Sequence, residues 1–313
     1  MLHPQVAERF HFFTDERLSP EEAASLYDTP TEPYEPPGGL QVSDQLVDGR
    51  NGKVAIRTYA QLGSLDSIPK FLWIHGGGFT EGGLWQIESD MVCRELASRL
   101  DIEMIAIDYA LCTESVKISS TLGDCIDVLD WLISRKQEPP FDIFVGGNSA
   151  GGALAAHLAL RDASLGVRKI RGVLLTSPIL HSEVPALTPE LTRKLNEIGG
   201  FGLTRESVAE RVQFISANQG LYLDGVPVFA GDGADLSGYP PTLISNSDYD
   251  VLRLSGEQFA EQLINCDVEV VSETVEGTIH SHIGRYPHDF EPAEATLSKM
   301  ADFIGAQLVP TKS

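Results

Sequence analysis

Three observations predict an α/β fold with a mostly parallel sheet flanked by helices. Short apolar runs, such as Lys70–Ile74 and Glu103–Asp108, alternate with longer amphipathic segments, such as Ser119–Arg135; that alternation implies right-handed crossovers between parallel strands. With 42% hydrophobic and only 8% aromatic residues over 313 positions, the chain can bury a full core of this kind. Residues 141–162, FDIFVGGNSAGGALAAHLALRD, read as a buried strand, a glycine-flanked serine turn and an Ala/Leu-rich helix, with the strand over Phe141–Val145 and the helix over Ala150–Arg161.

At the N-terminus, Val6, Phe10 and Phe13 recur at helical spacing. Ser19-Pro20-Glu21-Glu22 starts a second helix, with a serine cap, proline in the first position and acids in the first turn. Thr29–Gly39 is a Pro/Gly-rich linker. Two short amphipathic helices bury little alone, so residues 1–39 are expected to pack over another part of the molecule. Candidate strands Gln45–Val47 and Lys53–Tyr59 flank Asp48-Gly49-Arg50-Asn51-Gly52, which is hairpin chemistry and predicts an antiparallel start to the sheet. The strand Lys70–Ile74 runs into His75-Gly76-Gly77-Gly78-Phe79. A helix over Glu88–Arg99, a strand over Glu103–Asp108 and a helix over Ser119–Arg135 precede the serine turn, and a strand over Lys169–Thr176 follows its helix.

The alternation breaks at Pro178. Residues 181–235 carry two predicted helices, Pro189–Glu197 and Arg205–Ile215, and no predicted strand, which marks an insertion. It resumes with a strand (Thr242–Asn246), a helix (Ser255–Ile264), a strand (Asp267–Ser272) and a last helix (Pro292–Ile304). The organisation expected is therefore N-terminal cap helices and linker (1–39), a core (40–180 and 236–313) and a cap insertion (181–235).

A serine between strand and helix is forced into a strained turn that lifts its hydroxyl clear of the sheet, beside the positive end of the helix. Gly-x-Ser-x-Gly alone is weak, since glycine is about 7% of an average sequence; the flanking strand and helix give it weight. Three glycines after the strand at Ile74 expose consecutive N–H groups, as an oxyanion hole requires. No Lys-Ser/Thr follows them and the spacing is not G-x-G-x-x-G, so a phosphate loop is disfavoured. Serine needs a neutral imidazole and a carboxylate to act as a nucleophile. Asp248 and Asp250 follow one late strand; His280, His282 and His288 follow the next. Loops at the carboxyl ends of parallel strands converge, so Ser149, one of these acids and one of these histidines are expected to meet.

The balance of 45 acidic against 23 basic residues, net −22, argues against nucleic acid and anionic membranes as partners. Cys93, Cys112, Cys125 and Cys266 form no C-x-x-C pair and read as small core residues of a reducing compartment. The first residues, MLHPQVAERFHFF, lack a signal-peptide pattern and no run is long enough to span a membrane, so a cytoplasmic location is expected. No metal or other cofactor is expected.

The sequence resembles the hormone-sensitive-lipase-like carboxylesterases. His75-Gly76-Gly77-Gly78, Gly147-Asn148-Ser149-Ala150-Gly151-Gly152, Ser247-Asp248-Tyr249-Asp250-Val251-Leu252-Arg253 and Gly277-Thr278-Ile279-His280 match that family's blocks in order, over most of residues 2–305. The resemblance implies an α/β-hydrolase fold with an eight-stranded sheet and a helical cap. It implies Asp250 as triad acid, His280 as base, and Gly77, Gly78 and Ala150 as oxyanion donors, with His75 orienting the glycine loop. The chain departs from the family pattern at Asn148, where Asp is usual, at Ala110-Leu111-Cys112-Thr113-Glu114, and at His282, where an aromatic is usual. Phe79, Leu84, Trp85, Phe201, Phe214 and Ile279 are the expected pocket residues, with Phe10 and Phe13 beside them in the cap. The expected activity is hydrolysis of short- to medium-chain or aromatic carboxylic esters, small molecules, by a serine carboxylesterase. The alternatives are an amidase or arylformamidase on the same triad, or a non-catalytic receptor, which the retained histidine disfavours. Relatives of this kind often form homodimers through a sheet edge or the last helix; the sequence carries no local signal for it.

Overall fold

A computed structural model describes residues 1–15, 17–135, 141–199, 201–216, 220–233 and 235–308. Its strands are β1 (Leu40–Gly49), β2 (Gly52–Gln61), β3 (Lys70–Ile74), β4 (Glu103–Asp108), β5 (Ile143–Asn148), β6 (Ile170–Thr176), β7 (Tyr222–Leu223), β8 (Val226–Pro227), β9 (Thr242–Tyr249) and β10 (Val270–Ile279). Its α-helices are α1 (Pro4–Phe10), α2 (Pro20–Asp28), α3 (Ile87–Arg99), α4 (Ile118–Ser134), α5 (Ala150–Ser164), α6 (Pro189–Glu197), α7 (Arg205–Ser216), α8 (Arg253–Asn265) and α9 (Glu291–Leu308).

Eight strands form one sheet in the order β1-β2-β4-β3-β5-β6-β9-β10. The hairpin β1–β2 and the β2–β4 pair are antiparallel, and every later pair is parallel. The central strands are buried on both faces, which is why they read as continuous apolar runs rather than alternating ones. In β3, Leu72 and Ile74 join the layer that contains Leu122 and Ile126 of α4 and Leu154 of α5. Phe71 and Trp73 point to the other layer, with Met91 of α3 and Met300 of α9. Each such fully buried side chain stabilises the fold by roughly 1.5–3 kcal/mol.

Register positions the site. Ile74 pairs with Gly147, so the His75 loop leaves the sheet beside the serine turn. On the other flank Asn148 pairs with Thr176. β9 and β10 follow in the same direction, and their carboxyl ends open on the same edge.

Several boundaries differ from the sequence expectation. β5 continues through Gly146-Gly147-Asn148, because its neighbours β3 and β6 keep pairing with these residues. β10 begins at Val270 rather than Asp267, since Asp267 takes φ 59° where the chain leaves α8. Residues 181–235, expected to lack strands, hold two: β7 and β8 form a small antiparallel ladder closed by Asp224-Gly225, both at positive φ, 52° and 82°. That Asp-Gly pair was a readable hairpin signal. α1 stops at Phe10 and gives way to a 3-10 turn, His11–Thr14. Phe10 and Phe13 then pack against Phe201, with ring centroids 5.7 and 3.8 Å away, so the N-terminal segment lies against the segment that follows α6. The second helix begins as expected, with Ser19 as cap and Glu22 completing a capping box.

Candidate active site

Ser149 stands between β5 and α5 with φ 53° and ψ −114°, a conformation an L-residue adopts only under constraint. Its N–H donates to the Thr176 carbonyl at 2.9 Å, which ties the turn to β6. The turn also requires close packing on β3. A Cβ on residue 151 would lie 2.0 Å from the Ile74 carbonyl oxygen, so only glycine fits there.

His280 and Asp250 reach this serine from the loops after β10 and β9. His280 Nε2 lies 3.0 Å from Ser149 Oγ, and His280 Nδ1 lies 2.6 Å from Asp250 Oδ2. Asp250 is 2% exposed, and its Oδ1 accepts the Leu252 N–H at 3.0 Å. An Nδ1–H donated to this carboxylate leaves Nε2 as the acceptor for the serine proton.

The competing residues are committed elsewhere. Asp248 Oδ1 accepts from Lys194 Nζ at 2.5 Å and Arg253 Nη1 at 2.9 Å, and its Oδ2 accepts the Gly277 N–H. It ties α6 and α8 to the end of β10. His282 is buried, with Nδ1 at 2.7 Å from Ser247 Oγ and Nε2 at 3.0 Å from Thr296 Oγ1. Burial, with the neighbouring His280 adding to it, pushes its pKa down to about 3. His288 is exposed and sits against the Glu32 carbonyl.

The glycine loop runs beside the serine. Gly77, Gly78, Phe79 and Ala150 line the same pocket as Ser149. Gly77, Gly78 and Phe79 have φ 100°, 58° and 68°, so three successive residues hold positive φ. Ala150 is the first residue of α5, and its N–H lies outside the helical ladder. His75 is fully buried, stacked on Tyr109 with centroids 4.2 Å apart, and its Nδ1 lies 2.7 Å from the Gly76 carbonyl. Burial holds its pKa down near 4, so it is a neutral support for the loop. The Tyr109 hydroxyl lies 3.0 and 3.1 Å from the His75 and Gly76 carbonyls.

Two supporting roles escaped the sequence reading, that of Glu88 and that of Asn148, which had stood out only as a departure from the family pattern. Glu88 Oε1 accepts the Gly76 N–H at 2.6 Å, while its own carbonyl accepts from Trp73 Nε1 at 2.8 Å. Burial raises its carboxyl to about 7. An acid at a helix start reads as ordinary dipole complementation, so nothing local marked it. Asn148 Nδ2 donates to Ser281 Oγ at 2.9 Å, and its Oδ1 accepts from Thr176 Oγ1 at 3.0 Å. The amide thus bridges the serine turn to the residue after His280, using a donor that an ionised Asp would lack.

Two cavities flank the triad. A cavity of about 560 Å³ is lined by Phe13, Tyr27, Trp85, Phe201, Ile279 and His280, among others. A second, of about 360 Å³, contains Ser149 and the glycine loop and is walled by Phe79, Ile179, Val208, Leu252 and Arg211. Of the expected pocket residues, Phe79, Trp85, Phe201 and Ile279 line one or other cavity. Leu84 and Phe214 line neither. Leu84 packs on the core layer beneath α3. On α7 the buried positions are Val208, Val212 and Ile215, so Phe214 falls on the outer face, 39% exposed with Lys117 Nζ 5.0 Å above its ring.

Residues 71–283 match a family model described as alpha/beta hydrolase fold. The esterase LipI of Mycobacterium tuberculosis is 27% identical over 266 residues, covering 83% of this chain and 79% of that protein. An arylesterase of Saccharolobus solfataricus is 27% identical over 259 residues, covering 80% and 79%. The structure of an esterase from Pyrobaculum calidifontis superposes with a TM-score of 0.78 at 26% identity, covering 99% of this chain and all of that one. Brefeldin A esterase, described as a bacterial homologue of human hormone-sensitive lipase, superposes at 0.80 with 20% identity over 98% of this chain and 94% of its own, a likeness of fold. Among the described residues no helix is long and apolar enough to cross a membrane.

Proposed function

The chain belongs to the alpha/beta hydrolase fold family, and on that premise we propose that it is a serine carboxylesterase acting on short- to medium-chain or aromatic carboxylic esters through an acyl-enzyme. The observation that carries this reading is the unbroken chain from Ser149 Oγ to His280 Nε2 at 3.0 Å and from His280 Nδ1 to Asp250 Oδ2 at 2.6 Å. Ser149 attacks the ester carbonyl while His280 takes its proton. The N–H groups of Gly77, Gly78 and Ala150 hold the tetrahedral oxyanion, and Asp250 stabilises the imidazolium. His280 then protonates the departing alcohol, and water activated by the same imidazole hydrolyses the acyl-enzyme.

Residues 1–39 and 181–235 serve as the cap in this reading. Phe13, Phe201 and Leu203 from these segments line the larger cavity, and Val208 and Arg211 the smaller, which supports an enclosed site for a modest substrate. The unbridged thiols Cys93, Cys112, Cys125 and Cys266 fit a reducing compartment, and we assign the cytoplasm.

The test is turnover of p-nitrophenyl acetate, butyrate and octanoate by the wild type, Ser149→Ala and His280→Ala. Either substitution is expected to lower kcat by on the order of 10⁴–10⁶. A fluorophosphonate probe should label the wild type and not Ser149→Ala. A Ser149→Ala protein that keeps most of its turnover would overturn the mechanism, and an unlabelled, inactive wild type would point to a receptor.

A further inference from the structure

We propose that Arg211 makes this enzyme selective for esters whose acyl chain carries a carboxylate, the half-esters of short dicarboxylic acids. The proposal rests on the serine esterase reading above. Its ground is an arginine in the pocket that contains the nucleophile, with no described carboxylate within ion-pairing distance of it. Arg211 projects from α7 into the 360 Å³ cavity shared by Ser149, Gly77, Gly78 and Ala150. Its Nε lies 3.4 Å from where a Cβ on Gly78 would stand, so the guanidinium packs directly on the glycine loop. Nη1 donates to Thr80 Oγ1. Among the described residues no carboxylate lies within ion-pairing distance of it, whereas Arg9, Arg57, Arg94, Arg99 and Arg253 each hold an acid.

A half-buried guanidinium in an apolar pocket has lost part of its hydration, and its remaining donors are planar and suited to a carboxylate. The pocket also supplies the rest of a recognition site. Phe79, Ile179, Val208 and Leu252 give apolar walls for a methylene spacer. Glu81 lines the same cavity without pairing to Arg211, so the guanidinium is the group there that attracts an incoming carboxylate.

The direction of attack assigns this pocket to the acyl group. His280 lines both cavities and must hand its proton to the leaving oxygen, so the alcohol lies beyond the imidazole, toward the larger cavity, which also holds Asp250 and His282 but not Ser149 or Ala150. The carbonyl oxygen faces the glycine loop, and the chain attached to the carbonyl carbon runs toward Arg211. A protein of net charge −22 gives an anionic substrate no long-range attraction, so any preference for one has to arise at such a local contact.

The experiment compares p-nitrophenyl hemiadipate with p-nitrophenyl hexanoate, which share leaving group and chain length and differ in terminal charge. The quantity read is the ratio of their kcat/KM values in the wild type, Arg211→Gln and Arg211→Lys. Arg211→Gln should lower the hemiadipate-to-hexanoate ratio by ~10-fold or more, mainly through KM, and Arg211→Lys should restore part of it. A ratio unchanged by Arg211→Gln, or both esters falling together, overturns the proposal. Should no ester turn over, the esterase reading fails separately, and calorimetric binding of adipate still decides on Arg211. Tighter binding to the wild type than to Arg211→Gln supports it, and equal binding sinks it.

Discussion

Replacing Gly77 by alanine tests the glycine loop at its tightest point. Gly77 has φ 100°, and a Cβ there would lie 2.1 Å from the Glu81 carbonyl oxygen. Real Cβ contacts do not fall below 3.0 Å, so the loop or Glu81 must move by roughly 1 Å. The Gly77 carbonyl also accepts the Thr80 and Glu81 N–H groups at 3.1 and 3.0 Å, so backbone on both sides of the clash is tied together. A 1 Å misplacement can cost about 10²-fold, and loss of one oxyanion donor about 10²–10³-fold. Gly77→Ala should therefore lower kcat/KM on p-nitrophenyl butyrate by ~10²–10³-fold, chiefly in kcat. Gly78→Ala is the matched control. Its φ of 58° lies in the left-handed region, which alanine enters at a cost of about 1–2 kcal/mol, and its Cβ would meet Arg211 at an ordinary 3.4 Å. It should lose about tenfold or less. Thermal melts of both variants separate lost folding from lost geometry. If Gly77→Ala stays within about threefold of the wild type, or if Gly78→Ala is the more damaged, the loop does not work through the positioning described.

Asp250→Asn should cut kcat by ~10⁴ with little change in melting temperature, because the imidazole loses its tautomer. Asp248→Asn should do the reverse, lowering the melting temperature by several degrees as Lys194 and Arg253 lose their buried partner, with far more turnover retained. Glu88→Gln keeps an acceptor for Gly76 but removes the titration. The wild type should show a step in kcat/KM near pH 7 that the variant lacks. Because this carboxyl is raised in the folded state, the folded protein binds the extra proton between the ordinary carboxylate range and about pH 7. Stability from this group is lost as pH rises through that window, and Glu88→Gln should flatten the loss. The buried histidines act in the opposite sense. His75 and His157 are pushed down to about 4 and His282 to about 3, so below their ordinary value of 6.5 only the unfolded chain takes up protons. Stability should fall as pH drops from 6.5 toward 4, by up to ~1.4 kcal/mol per unit for each histidine. Urea melts at pH 7, 6 and 5 would register this, and a pH-independent midpoint would refute it.

The order of strands and helices was readable in the chain because both-face burial writes itself as apolar runs such as Phe71-Leu72-Trp73-Ile74, and helix starts as caps such as Ser19-Pro20. The small β7–β8 ladder was missed although Asp224-Gly225 announced it, because its two-residue strands are too short for any periodicity. The motif residues were readable for a related reason. Ser149, Gly77 and Gly78 stand at backbone conformations that restrict which residues fit, so local pattern alone marks them.

What sequence could not decide was which of several chemically equal groups turns inward. Asp248 and Asp250 lie two apart, and so do His280 and His282. Residues alone left each pair open, and the resemblance favoured Asp250 and His280. In the structure His280 meets Ser149 and Asp250 holds His280, while Asp248 is used by Lys194 and Arg253, and His282 by Ser247 and Thr296. The same holds for Glu88, Asn148 and Arg211, whose partners Gly76, Ser281 and the glycine loop lie 12, 133 and 133 positions away in the chain. Backbone geometry and burial pattern are local properties, set by each residue and its neighbours. Hydrogen-bond partners across a sheet edge depend on register and crossover, and only the assembled fold supplies those.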